Sequence, residues 1–445
     1  MHKVGTPLVG TAIVFAVVCL VPLPFFDVST EAPEKPPVAQ TIVEEKPTVI
    51  SEEKEIVVDD REVVSHVPLP EAVKSIYMSS CVAGTPSFRE RLRTLINETE
   101  VNAVMIDIKD YSGTIAFSPE SADWKPAWQA AECGARDMKE FIASLHADNI
   151  FVIGRITVFQ DPFYAPKNPD QAVLRSDQET VWTDYKGLSF VDVASKEYWD
   201  HVIELAVESY NLGFDEINFD YVRYPSDGNM LDTYFPQSAL SEHGLDKPAN
   251  LEAFFTYLHS AMTDEENFAE VKHENTGREL SVPYTSADLF GMTTTNYDDL
   301  SIGQIQDRAA PHFDFIAPMV YPSHYPNSFL GLGNPNEYPY KVVYHAMKTG
   351  ADRMTSSTTP LEGFLHEPIY TTNASGTETF TGLYSKPSYG PEKFRTWIQD
   401  FDYGGDYDAA DVRAQIQASY DAGVGSWMIW APSNIYTRAA LLPAD

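Results

Sequence analysis

Cysteine is scarce in this sequence: three stand in 445 residues, at positions 19, 81 and 133. No C-x-x-C pair and no Cys/His cluster occurs, which excludes a structural zinc site. Positive charge is scarce too, with 31 Lys and Arg against 65 Asp and Glu and a formal net charge of −34. A surface that neutralises phosphates cannot be built from that balance, so nucleic acid is excluded as a partner. A neutral polysaccharide or oligosaccharide is compatible with it. H-E-x-x-H, the phosphate-binding P-loop, G-x-S-x-G and G-x-G-x-x-G are all missing, and with them the usual signatures of zinc proteases, nucleotide enzymes and serine hydrolases. No cofactor is expected. Aromatic residues are abundant overall, yet none lies between Phe26 and Tyr77.

That gap marks the organisation of the chain. Residues 1–26 hold an apolar run from Pro7 to Phe26, preceded by Lys3. A run of roughly 20 apolar residues is long enough to cross a bilayer as a helix. No small-x-small cleavage site follows it. It reads as an uncleaved signal anchor that leaves the rest of the chain extracytoplasmic, or secreted if the segment is removed. Residues 27–69 are rich in Glu, Pro and Val and cannot build a core, so they read as a disordered acidic spacer. Residues 70–445 form the third region.

There the pattern becomes strand, helix, strand, helix. Strand-length apolar runs occur at Ser75–Ser80, Val101–Lys109, Ile150–Phe159, Phe214–Tyr224, Leu280–Phe290, Phe315–Tyr321, Phe394–Phe401 and Gly425–Trp430. Amphipathic stretches separate most of them. Eight such runs predict a parallel sheet closed into a (β/α)8 barrel of the TIM type, with loop insertions over Pro225–Asn250 and Thr349–Pro391. Outside the cytoplasm, Cys81 and Cys133 either pair or remain two unrelated thiols.

Active sites of such barrels lie at the C-terminal strand ends, where alternate side chains face the interior. On the fourth run, Ile217, Phe219 and Tyr221 suit the helix layer, while Glu216, Asn218 and Asp220 point inward. An inward polar row needs partners or a ligand. Asp220, nearest the mouth, is the expected catalytic carboxylate; the alternative is a structural polar network in which it pairs with Arg223 or a lysine.

The segment GFDEINFDYVRYPSDG resembles the hallmark of the "putative glycosyl hydrolase" barrel-domain family. The resemblance continues through MIDIKDYSG, FVIGRITVFQDP, SADLFG, FIAPMVYPSHYP, WIQDF and SWMIWAPSNIY, over about residues 70–440. It implies a barrel that hydrolyses O-glycosidic bonds. Chitinase-type barrels are distantly similar. Laying their D-x-x-D-x-D-x-E run on this chain places Asp215, Asn218 and Asp220 at the first three positions and Val222 where the acid should be. That argues against a substrate-assisted mechanism. Met319-Val320-Tyr321 and Trp430 parallel the sixth-strand M-x-Y and the eighth-strand Trp of those barrels.

Glycoside hydrolysis needs two carboxyl groups across the scissile bond. Asp288, at the end of the fifth run, is the expected second one and the expected acid, unless it caps a turn. Asp161 and Asp400 stand in reserve. Asp107 and Lys109 alternate on the second run and are expected both to face inward, as sugar contacts or as an ion pair. Arg155 and Arg223 are placed to keep Asp220 ionised. Tyr321, His324, Gln399 and Trp430 are expected to line the mouth. The alternatives to an enzyme are a carbohydrate-binding barrel without turnover and an envelope scaffold.

Overall fold

The computed structural model describes residues 59–444. Eight parallel strands close into a barrel in chain order: β1 (Lys74–Met78), β2 (Ala103–Lys109), β3 (Phe151–Thr157), β4 (Glu216–Asp220), β5 (Tyr284–Phe290), β6 (Phe315–Met319), β7 (Arg395–Gln399) and β8 (Ser426–Trp430). Seven lie within their predicted apolar runs, and β1 begins one residue before its own. Parallel strands are covered on both faces, so their sequences run nearly continuously apolar. On β2, Ala103 and Met105 join the cluster that fills the barrel, while Val104 and Ile106 join the layer beneath the helices.

Among the described residues, the six helices of at least ten residues pack outside: α1 (Pro86–Asn97), α2 (Met138–Ala147), α3 (Lys196–Leu212), α4 (Lys247–Met262), α5 (Pro339–Thr355) and α6 (Ala409–Asp421). Helix α3 stops at Gly213, whose φ of 125° is costly for any residue with a Cβ. Helix α6 opens on a reciprocal capping box between Asp408 and Asp411. The helix after β5 shrinks to Gln306–Ala309, and only the 3-10 turn Arg438–Ala440 follows β8. The insertion after α5 forms a small sheet of Thr358–Thr359, Glu367–Thr372 and Glu378–Ser385, with its two longer strands largely exposed. Cys81 and Cys133 form a disulfide that ties the segment after β1 to the loop before α2.

Two expectations need correction. Ordered structure begins before residue 70: Val63–Ser65 pairs in parallel with Lys272–Glu274. Just beyond it, His66 and the Val67 amide reach one oxygen of Asp215 at 3.2 and 2.9 Å, while His146 and the Val152 amide hold the other at 3.0 and 2.7 Å. Asp215 is therefore an anchor at the foot of β4. The second correction is on β2. Asp107 lies opposite Arg155, but the next pairing is Lys109 with Ile156, so a bulge separates the two residues. The bulge sends Lys109 out toward the helices. Gly154 accommodates it, because a Cβ there would stand 2.2 Å from the Ile108 side chain. The apolar run 7–26 and the spacer up to residue 58 lie outside the described residues. Among the described ones, no helix is long and apolar enough to cross a membrane.

Candidate active site

Four carboxyl groups and two guanidinium groups occupy the barrel interior in two tiers. In the lower tier, Glu216 on β4 takes two bonds of 2.5 Å from Arg395 Nη1 on β7. In the upper tier, Arg155 on β3 is the centre. Its Nε and Nη2 donate to Oδ2 of Asp220 at 3.1 and 2.5 Å, and its Nη1 donates to Asp107 at 2.7 Å. Nε also lies 3.9 Å from Oδ2 of Asp288. Because one nitrogen sees both carboxyls, these Asp220 and Asp288 oxygens are no farther apart than about 7 Å, a span over which two carboxyls can serve one glycosidic bond.

The environments of the three upper carboxyls differ. Asp220 accepts two guanidinium bonds on Oδ2 and the Tyr221 amide on Oδ1 at 2.6 Å. Tyr221 reaches that position with a φ of 51°, which ends the strand; Val222 is buried beyond it and off the inward row. Asp288 receives Trp397 Nε1 at 2.8 Å and the Asn218 amide at 3.0 Å, both on Oδ1. Burial pushes its carboxyl well above the ordinary range; the adjacent Asp220 charge adds to the rise, and Arg155 opposes it. Asp107, bonded by Tyr77 and Arg155, is pushed up to about 6, by burial against the opposing Arg155 charge. Burial works against the Arg155 charge as well, but Asp220 and Asp107 outweigh it and hold the guanidinium firmly protonated.

Aromatic rings frame this tier. The Arg155 guanidinium sits 5.4 Å from the Trp430 ring and 5.9 Å from the Tyr77 ring. Tyr321 is buried, and burial together with the Asp288 and Asp220 charges raises its phenol well above the usual value. Of the expected site residues, Asp107, Arg155, Asn218, Asp220, Asp288, Tyr321 and Trp430 converge here. Tyr77 and Trp397 join them, Tyr77 through a strand whose sequence signal is faint.

The others go elsewhere. Lys109 pairs with Asp161 at 3.0 Å outside the barrel wall, where Tyr198 and two backbone amides also hold the carboxylate. This removes both from the inward set. Arg223 bonds the Tyr224 carbonyl and Ser226 at 3.1 Å, so among the described residues Arg155 alone is the guanidinium on Asp220. Asp400 caps Thr437 through its amide and hydroxyl, both at 2.7 Å. Gln399 braces the Ser323 amide at 3.2 Å, and its neighbour His324 is exposed on the rim. Asp220 and Asp288 are only 4% and 1% exposed. Clefts of about 490 and 680 Å³ flank α3 instead, and neither has these carboxyls in its wall.

Residues 75–378 and 366–436 match the model of the family described as "Putative glycosyl hydrolase domain". The chain belongs to this family. Among solved structures, the PgaB (BpsB) glycoside hydrolase domain of Bordetella bronchiseptica is 12% identical, with 86% of this chain and 99% of that one covered and a TM-score of 0.51. That likeness concerns the fold. A hypothetical protein from Ruminiclostridium thermocellum is 29% identical over 45% of this chain and 95% of its own, with a TM-score of 0.36. Alpha-L-fucosidase isoenzyme 2 of Paenibacillus thiaminolyticus is 13% identical over 85% of this chain and 47% of its own, at 0.48. No match is found among curated proteins.

Proposed function

We propose that this family member hydrolyses O-glycosidic bonds of a cell-envelope or extracellular polysaccharide, with Asp288 as proton donor and Asp220 as nucleophile or base. One observation carries the reading: two carboxyls on adjacent strands sit in opposite surroundings. Asp288 is buried against tryptophan and amide donors with its affinity for a proton raised, while Asp220 lies against a guanidinium. An acid and a base are assigned by environments that push two such groups apart. The carboxyls supply the proton work, so no cofactor is called for. Trp430, half-buried beside Arg155, offers a face for a sugar ring. Display outside the cytoplasm on an N-terminal anchor is part of the proposal. Its support is the apolar run 7–26 and the Cys81–Cys133 disulfide, a bond that persists in oxidising compartments.

The test is turnover of a panel of envelope glycans by the wild type and by Asp220→Asn and Asp288→Asn. Hydrolysis by the wild type and its loss in both variants, with both variants still folded by circular dichroism, is the expected result. Undiminished hydrolysis in either variant removes that residue from the mechanism.

A second reading is a sugar-binding barrel without turnover. Both oxygens of Asp220 are already engaged and the group is nearly inaccessible, which favours it. Glycan binding by the wild type with no product from any member of the panel would select it.

A further inference from the structure

The two tiers of the barrel are joined by one hydrogen-bond chain, and its polarity can be followed atom by atom. Glu216 is occupied by Arg395 on both oxygens, so toward Ser286 it acts as acceptor. The Ser286 hydroxyl lies 2.6 Å from it and must donate. Having spent its hydrogen, Ser286 Oγ can only accept from Asn218, 2.9 Å away. That fixes which way the Asn218 amide is turned, since an amide oxygen facing Ser286 would meet lone pairs. The second hydrogen of the same nitrogen then falls on Oδ1 of Asp288 at 3.0 Å. The amide oxygen is left without a partner among the described residues, although Asn218 is fully buried. On the other side, Trp397 Nε1 can do nothing but donate, and it too points at Oδ1.

We infer that Ser286 and Asn218 are positioning residues that commit Oδ1 of Asp288 to accepting, and so confine the proton of that carboxyl to Oδ2. Oδ2 is the oxygen that faces Arg155, whose guanidinium in turn holds Asp220. A donor intended for a bond held between Asp288 and Asp220 needs its hydrogen on that side. Its catalytic meaning rests on the hydrolase reading; the address of the proton does not. The charged and titratable groups facing Asp288 are Asp220 on β4, Arg155 on β3 and Tyr321 after β6. None of them contacts Oδ1.

Infrared spectroscopy of the full-length protein tests this without substrate. At neutral pH the wild type should show a protonated-carboxyl C=O band that disappears in Asp288→Asn. Its frequency should be low, because the carbonyl oxygen, Oδ1, accepts two hydrogen bonds. Ser286→Ala frees the amide and should move the band to higher frequency and its titration midpoint upward by about one pH unit, since a donor to the ionised form is lost. Ser286→Cys, a weaker donor in nearly the same volume, should give a smaller move and serves if the alanine variant does not fold. Trp397→Phe should shift the band in the same direction. Absence of the band in the wild type, or a band unmoved in the Ser286 variants while Trp397→Phe moves it, overturns the inference. A band that behaves as expected in a protein that cleaves no glycan leaves the inference standing and removes the hydrolase.

Discussion

Two buried charge clusters lie within one turn of strand β2, and they are built on opposite principles. Outside the wall, Lys109 meets Asp161 one to one, and carbonyls at 157, 158 and 160 take up the rest of the ammonium at 2.5, 3.4 and 3.5 Å. Burial lowers the lysine's proton affinity while Asp161 sustains it. Inside the wall, in the upper tier, a single guanidinium serves three carboxyls. The first cluster is balanced and holds two loops. The second has more acids than it can neutralise, so at least one of them must keep its proton. A surplus of buried acid, more than burial itself, sets the upper tier apart from a rivet.

The strongest way to sharpen this contrast is Asp288→Asn. It should cut glycan hydrolysis by about 10²–10⁴-fold, the usual worth of a positioned general acid, and change stability little, because one neutral group replaces another. Turnover and the urea midpoint read the two halves of that statement. Lys109→Met should do the reverse to stability. It leaves Asp161 charged, buried and unpaired, at a cost of about 3–5 kcal/mol, seen as a large drop in that midpoint. A loss below about 1 kcal/mol would mean that the pair is not what holds the loops.

A smaller effect concerns pH. The Asp107 carboxyl is raised to about 6 in the folded protein from 3.8. The folded state therefore keeps a proton that the unfolded chain has released, and stability falls as pH rises from about 4 to about 6, then levels. Asp107→Asn should flatten that slope in unfolding curves collected across the window. The smallest effect belongs to Asp400→Asn, which weakens a cap on Thr437 and should cost about 1 kcal/mol with turnover unchanged. A collapse of hydrolysis there would return Asp400 to the mechanism.

All eight barrel strands could be read from the sequence because parallel strands buried on both faces leave long apolar runs. So could the inward row Glu216, Asn218 and Asp220, by simple alternation. Alternation failed at Lys109, where one extra residue reverses the facing and carries no local signature. It could not choose between Arg155 and Arg223 as the partner of Asp220, since that depends on which strand lies next in space. Nothing near Trp397 announces its bond to Asp288, 109 residues away in the chain. The strand Val63–Ser65 escaped notice because it is three residues long and only its middle residue, Val64, is buried.

That short strand also decides at which end of the barrel the first described residues are held. It lies at the N-terminal ends of β3 and β4, through Asp215 and Val152, whereas Arg155, Asp220 and Asp288 sit toward the opposite rim. Residues 63–67 therefore fasten to the barrel at the strand N-termini, the end away from these carboxyls, and the first described residues join the fold without crossing the tier that Arg155 organises.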